Sequence, residues 1–319
     1  MCTVSIITPC FNGARYLEAL CGSLRAQTLT DWEHIVVDDG STDDTASTVE
    51  RLLADDSRLR FIRTGNGGVA RARKAGYCAS SPSSRYLYFL DADDLLEPDM
   101  LRVMVEYLDR HPNVGLAYCG FTCIDDAGRA LPDIVLPRYV PTRFGVRELA
   151  DDEPDTPLVS IYCWAPVMES LSVLRREVYA LTDGWDESIG QGGEGVDLFL
   201  QVAFYSDVHF VNQRLYRYRR HTAQASHDVA RLQRQDLRVQ IKWRDRRREL
   251  SSEFRALIDE AQAFRAGRLR FHLSVESGLR YLRRAEMRHA ATCFLDSLRA
   301  ASRMMRRESS WPIQEPSRP

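Results

Sequence analysis

The chain has 319 residues, 44% hydrophobic and 28% charged, with a formal net charge of −2; this is the profile of a folded globular protein, not of a disordered, fibrous or membrane-embedded one. The small net charge hides an asymmetry. Residues 1–227 hold 22 basic and 33 acidic side chains, whereas residues 228–319 hold 21 and 12, the positive ones almost all arginine. No nucleic-acid partner is expected, and the basic part reads either as solvated helix faces or as helices that pack on the acidic part, mediate self-association or meet anionic lipid.

VSIIT at 4–8 reads as a buried strand, followed by a helix from about Ala14 to Ala26. HIVV at 34–37 is the next strand, and Ser41 is the expected N-cap of a helix whose first turn carries Asp43 and Asp44. RFI at 60–62 is a short third strand, and GNGG at 65–68 turns the chain into a helix through Ala79. RYLYFL at 85–90 is a fourth, continuously apolar strand, with a helix beginning at Pro98. Alternation at this spacing predicts an α/β fold with a mostly parallel, doubly wound sheet, whose ligands sit at the carboxyl ends of the strands. The stretch 125–157, rich in Pro, Asp and Gly, reads as an extended, partly irregular cover. A glycine-rich loop then enters a helix near Glu194, and VHFVN and RLYRYRRH (208–221) read as a closing pair of strands. The expected organisation is a domain over 1–227 (halves 1–120 and 121–227), an Arg-rich helical extension over 228–307, and a disordered tail over 308–319.

Three carboxylates, Asp91, Asp93 and Asp94, follow the fourth strand. Like charges this close raise one another's pKa unless a cation joins them. Mg²⁺ or Mn²⁺ suits the place, because such ions take one or two carboxylates and complete their shell with water and substrate phosphates. Strand alternation would aim Asp91 and Asp93 the same way; the competing reading is an acidic helix start. At the second strand end, Asp38 or Asp39 is placed to accept an imide N–H from a uracil-type base or to bind a ribose hydroxyl, unless it only caps the next helix. Thr8 and Pro9, with Phe11 and Asn12, form a turn that sets an aromatic ring beside such a base. Gly68, at a helix start, with Arg71 and Arg73, offers backbone N–H groups and positive charge to phosphate.

VSIITPCFNGARYLEALCGSLRAQTLTDWEHIVVDDGSTDDT, GNGGVARARKAG and YLYFLDADDLLEPDML, in this order, resemble the nucleotide-sugar-binding half of glycosyltransferase family 2. The likeness continues through VLRREVYALTDGWDES, GEGVDLFLQVA and YRYRRH, so it covers about residues 3–225. It implies a GT-A fold and inverting transfer from a nucleotide sugar (UDP first, dTDP second) to a hydroxyl-bearing acceptor, in glycan, polysaccharide or glycoconjugate synthesis. By position it gives Asp39 base recognition and Asp93 the metal. It sets Asp91 and Ala92 near the ribose or metal, lines the nucleoside pocket with Pro9 and Phe11, and puts His221 near the diphosphate or metal. The chain departs from the family at the catalytic base, where an expected Glu-Asp pair is Glu194-Gly195. The resemblance then leaves Glu194 or Asp197 as the base. A second reading is a catalytically silent nucleotide-sugar binder acting as a partner or regulatory protein. A nucleotidyltransferase, the third, would carry a Gly- and Lys-bearing loop after the first strand, which TPCFNGARY lacks.

The eight cysteines form no C-x-x-C pair and no zinc spacing with histidine, so free thiols are expected. With no apolar run near the ~20 residues of a bilayer span, the expected location is the cytoplasm, at most peripheral on the inner membrane face.

Overall fold

The structure is a computed structural model; it describes residues 2–262 apart from 133, 135–137, 143–144, 151, 165–166, 223, 225–227, 253 and 260, and also describes residues 291–296. The disordered tail expected over 308–319, and the helices expected across 263–290 and 297–307, lie outside the described residues.

The first half is the expected alternation: β1 (Val4–Cys10), α1 (Ala14–Arg25), β2 (Trp32–Asp38), α2 (Thr45–Leu53), β3 (Leu59–Arg63), α3 (Val69–Ala79) and β4 (Tyr86–Phe89). β5 (Leu95–Leu96), α4 (Met100–Arg110) and β6 (Val114–Ile124) follow, then a two-stranded hairpin of β7 (Tyr139–Thr142) and β8 (Gly145–Glu148) inside the segment read as irregular. The second half adds α5 (Leu158–Trp164), β9 (Ser172–Arg175), α6 (Arg176–Tyr179), α7 (Glu194–Tyr205), β10 (Asp207–Arg219) and α8 (Val229–Arg246). The main sheet has eight strands in the order β3-β2-β1-β4-β9-β6-β10-β5. β3, β2, β1 and β4 run parallel, β9 is inserted antiparallel between β4 and β6, and β10 returns parallel to β6.

The residue pattern explains the sheet. Tyr86, Leu87, Tyr88 and Phe89 of β4 are all buried, as expected for a parallel strand covered on both faces, and each such side chain contributes about 1.5–3 kcal/mol. Leu17, Leu20 and Leu24 of α1 and Met100, Met104 and Leu108 of α4 present helical-period apolar stripes to the same core.

Three local expectations are corrected. Ser41 is not an N-cap: α2 begins at Thr45, and the Ser41 N–H donates to Asp38 Oδ1 at 2.8 Å, closing a turn before the helix. The helix expected from Pro98 starts at Met100. The closing pair of strands over 208–221 is one long strand, β10, with shifts of register against β6 between Val211 and Tyr216 that absorb the polar Asn212-Gln213-Arg214 break.

Candidate active site

The acidic triplet lies just past β4, in a turn, so strand alternation does not reach it, and the three side chains meet different partners. Asp91 Oδ1 accepts from Arg73 at 3.1 Å and its Oδ2 from the Ser170 hydroxyl at 2.5 Å. Asp93 Oδ2 pairs with His221 Nε2 at 2.9 Å. Asp94 is buried and accepts from the Tyr216 hydroxyl at 2.5 Å and the Arg219 N–H at 2.6 Å. Burial, then the charges of Asp93 and Asp91, push the Asp94 carboxyl well above the carboxylate range. β10 therefore pins the turn: Arg219 Nε also donates to the Asp93 carbonyl at 2.6 Å. Asp93 stays partly exposed, its side chain at 29%. Burial and the Asp91 charge raise its pKa against the pull of the His221 hydrogen bond.

A second cluster surrounds Arg73, which α3 buries over the Trp185 ring, 4.6 Å from its centroid. Arg73 Nη1 donates to Glu194 Oε1 at 3.0 Å and lies 3.7 Å from Glu169 Oε1, while Nη2 holds Asp91. Glu194 also accepts the N–H groups of Gly192 and Gly193 on Oε2, at 2.6 and 3.0 Å, so both its oxygens are engaged. Glu169, in a one-turn 3-10 helix (Glu169–Leu171) before β9, is drawn over the backbone of Gly195. Burial, opposed by Arg73 and reinforced by the charges of Glu194 and Asp91, raises its carboxyl to about 7.

Asp197 points elsewhere. It is fully buried and accepts from Lys242 Nζ at 2.8 Å, Trp243 Nε1 at 2.9 Å and Gln201 Nε2 at 2.9 Å. The structure joins it to α8, not to the Arg73 cluster, although Asp197 and Glu194 share the first turn of α7.

On the nucleoside side, Asp39 follows β2 and accepts the N–H groups of Gly67 at 2.9 Å and Gly68 at 2.7 Å. Gly68, at φ 89°, makes this possible by turning left-handed just before α3. Asp38 is turned inward to Ser41 and Arg63. Asn12 Oδ1 accepts from the Thr42 N–H at 2.9 Å and so joins the β1–α1 loop to the β2–α2 loop. Phe11 is 52% exposed, while Pro9 and Ala92 are half-buried near the same strand ends. Arg71 is exposed and folds its side chain over Gly67. Thr8 does not join them: it is fully buried, with its hydroxyl 2.9 Å from His34 Nε2.

Among the described residues, no three His, Cys, Asp or Glu side chains converge so as to hold a metal ion unaided. The Asp93–His221 pair nevertheless fits a cation that relies on phosphate oxygens for most of its shell. It offers an accessible carboxylate beside an imidazole whose buried Nδ1 has no partner. The His221 ring is fixed 5.4 Å from the Tyr16 ring.

Sequence reasoning passed over Glu169, Ser170 and Tyr16. Glu169 carries no motif in the sequence.

A sequence model of the family described as Glycosyl transferase family 2 matches residues 5–165, half of the chain. Chondroitin synthase of Pasteurella multocida is 25% identical over 213 residues, covering 67% of this chain and 20% of that protein. The uncharacterized glycosyltransferase EpsJ of Bacillus subtilis is 35% identical over 118 residues, 37% of this chain and 33% of that one. The chain thus spans only a fifth to a third of the length of these relatives. Residues 1–349 of S. aureus TarS in complex with UDP-GlcNAc superpose with a TM-score of 0.63 at 18% identity, over 83% of this chain and 72% of that one, a likeness of fold.

Proposed function

This chain belongs to glycosyl transferase family 2, and from that premise we propose that it is an inverting, divalent-metal-dependent enzyme moving a sugar from a UDP-type donor to an acceptor hydroxyl in glycan or polysaccharide synthesis. One observation carries the reading: Asp93 keeps an accessible, charge-crowded carboxylate beside His221 at the carboxyl edge of the sheet. The UDP-GlcNAc complex named for TarS supports a uridine donor, and the chondroitin synthases support a glycan product.

Asp93 and His221 are the residues that would hold Mn²⁺ or Mg²⁺ together with the donor's phosphates. Bound there, the ion supplies positive charge for the departing diphosphate. The remaining work falls to the chain. Asp39, held past the end of β2 by the Gly67 and Gly68 N–H groups, would accept the imide N–H of uracil or thymine. Phe11 offers an apolar face beside the base, and Arg71 lies exposed at the start of α3 for phosphate. A single in-line displacement needs no enzyme nucleophile; it needs a base within hydrogen-bond reach of the acceptor hydroxyl. Glu194 is poorly suited to that task, since Arg73 and two backbone N–H groups already occupy its oxygens.

Thermal-shift titration with UDP-sugars, dTDP-sugars and free nucleotides, each with and without Mn²⁺, tests the proposal. The expected result is metal-dependent stabilisation by a UDP-sugar, about 2.7 kcal/mol at a hundredfold excess over Kd, lost in Asp93→Asn. No stabilisation by any nucleotide sugar would overturn it, and stabilisation indifferent to Mn²⁺ would remove the metal.

A further inference from the structure

Gly195 is the second residue of α7, where the family resemblance expects an acid. The structure supplies a reason for the glycine. A Cβ built on Gly195 would collide with Oε1 and Cδ of Glu169 and stand 2.9 Å from its Cγ. The Glu169 carboxylate thus fills the volume that a side chain at 195 would occupy, reaching it from the turn before β9.

Three carboxylates surround Arg73, and they are not equivalent. Asp91 is held on one oxygen by Arg73 and on the other by Ser170. Glu194 is 2% exposed and fully engaged. Glu169 keeps a side-chain exposure of 22%, and its ion pair with Arg73, at 3.7 Å, is longer than a hydrogen bond. Asp91 is the more exposed of the two, at 37%, but Glu169 is the carboxylate of this cluster that no other side chain holds within hydrogen-bond distance.

We propose that Glu169 is the general base of the transfer, delivered from the turn before β9 into the space left by Gly195. The assignment rests on the transferase reading above. As the acceptor oxygen bonds to the anomeric carbon, Glu169 takes the hydroxyl proton. The bond from that carbon to the diphosphate breaks, and its electron pair leaves with the nucleotide; the proton then passes from Glu169 to solvent. Glu194, on this account, is a positioning residue that fixes Arg73, which in turn fixes Glu169. Burial, opposed by Arg73 and reinforced by the charges of Glu194 and Asp91, raises the Glu169 carboxyl above the ordinary carboxylate range, which makes it the stronger proton acceptor.

The test uses the full chain, Mn²⁺ and UDP-GlcNAc, or whichever UDP-sugar stabilises the chain best, with UDP release as the readout and water as the acceptor. Glu169→Gln is expected to keep donor binding within about twofold and to lose about 10²–10³ in kcat. Gly195→Ala, which displaces the carboxylate without removing it, is expected to lower kcat with the donor KM little changed. The double variant Glu169→Ala/Gly195→Asp should recover at least tenfold over Glu169→Ala, with the acid limb of its pH–rate profile moved below that of the wild type. A Glu169→Gln enzyme within threefold of wild-type kcat, in a chain that binds and turns over the donor, overturns this assignment and leaves the transferase reading standing. A wild-type chain that binds no nucleotide sugar overturns both.

Discussion

Thr8 shows how a strand-end residue can be misjudged by one side of a pleat. The carboxyl end of β1 does border the candidate site, but the Thr8 hydroxyl turns into the sheet, 2.9 Å from His34 Nε2 on β2. Thr8 pairs with Val36 and His34 with Ile6, so the two are diagonal neighbours on one buried face. Burial holds the His34 imidazole down to about 3. The sign follows from linkage. An imidazole whose folded pKa lies below its unfolded value of ~6.5 stabilises the fold fully above that value, and the contribution is lost as pH falls toward 3. The stability difference between wild type and His34→Gln is therefore expected to shrink by about 1.4 kcal/mol per pH unit from pH 6 to pH 4. Urea unfolding at a series of pH values measures it, and parallel curves for the two proteins would refute the buried neutral imidazole.

Among the elements, α7 divides two jobs between residues one turn apart. Glu194 faces Arg73 of α3; Asp197 faces α8, where Lys242 and Trp243 meet its carboxylate. Burial raises the Asp197 pKa while Lys242 draws it back, as expected of an ion pair that docks a helix. Lys242→Met would leave that carboxylate buried with neutral donors only, and breaking such a pair costs about 2–4 kcal/mol once the partial exposure of Lys242 is allowed for. Asp197→Asn is expected to lower stability by a similar amount while keeping kcat per folded molecule within about threefold. Chemical denaturation alongside UDP-release kinetics separates the two roles, and a hundredfold loss of kcat at unchanged stability would make Asp197 catalytic after all. The spacing of the two acids on one helix start was plain in the sequence. Their division was not, because Lys242 and Trp243 lie 45 and 46 residues further along the chain.

At the scale of the whole molecule, the parallel half of the sheet was legible because strands covered on both faces read as unbroken apolar runs, and because turn glycines and acids mark their ends. The antiparallel insertion of β9 was not, since SVLR at 172–175 is short and its neighbours β4 and β6 are set by topology rather than local pattern. The placement of Glu169 depends on that insertion, so it stayed hidden with it. Among the described residues no helix is long and apolar enough to cross a membrane. The boundary expected at residue 227 has a physical consequence of its own. Val239, Trp243, Leu250, Phe254, Leu257 and Ile258 belong to the same buried core as β1 and β4, and the Phe254 ring lies 4.6 Å from Phe204 of α7. At about 1.5–3 kcal/mol for each large side chain, deleting residues 228–319 removes roughly 10 kcal/mol of burial, comparable with the whole stability of an ordinary domain at 5–15 kcal/mol. It also strips Asp197 of its α8 donors. A chain ending at 227 is therefore expected to lose its near-ultraviolet circular dichroism and to be cut rapidly by protease at concentrations the full chain resists. If instead it melts cooperatively within a few degrees of the full chain, the C-terminal helices are an appendage rather than part of the catalytic core.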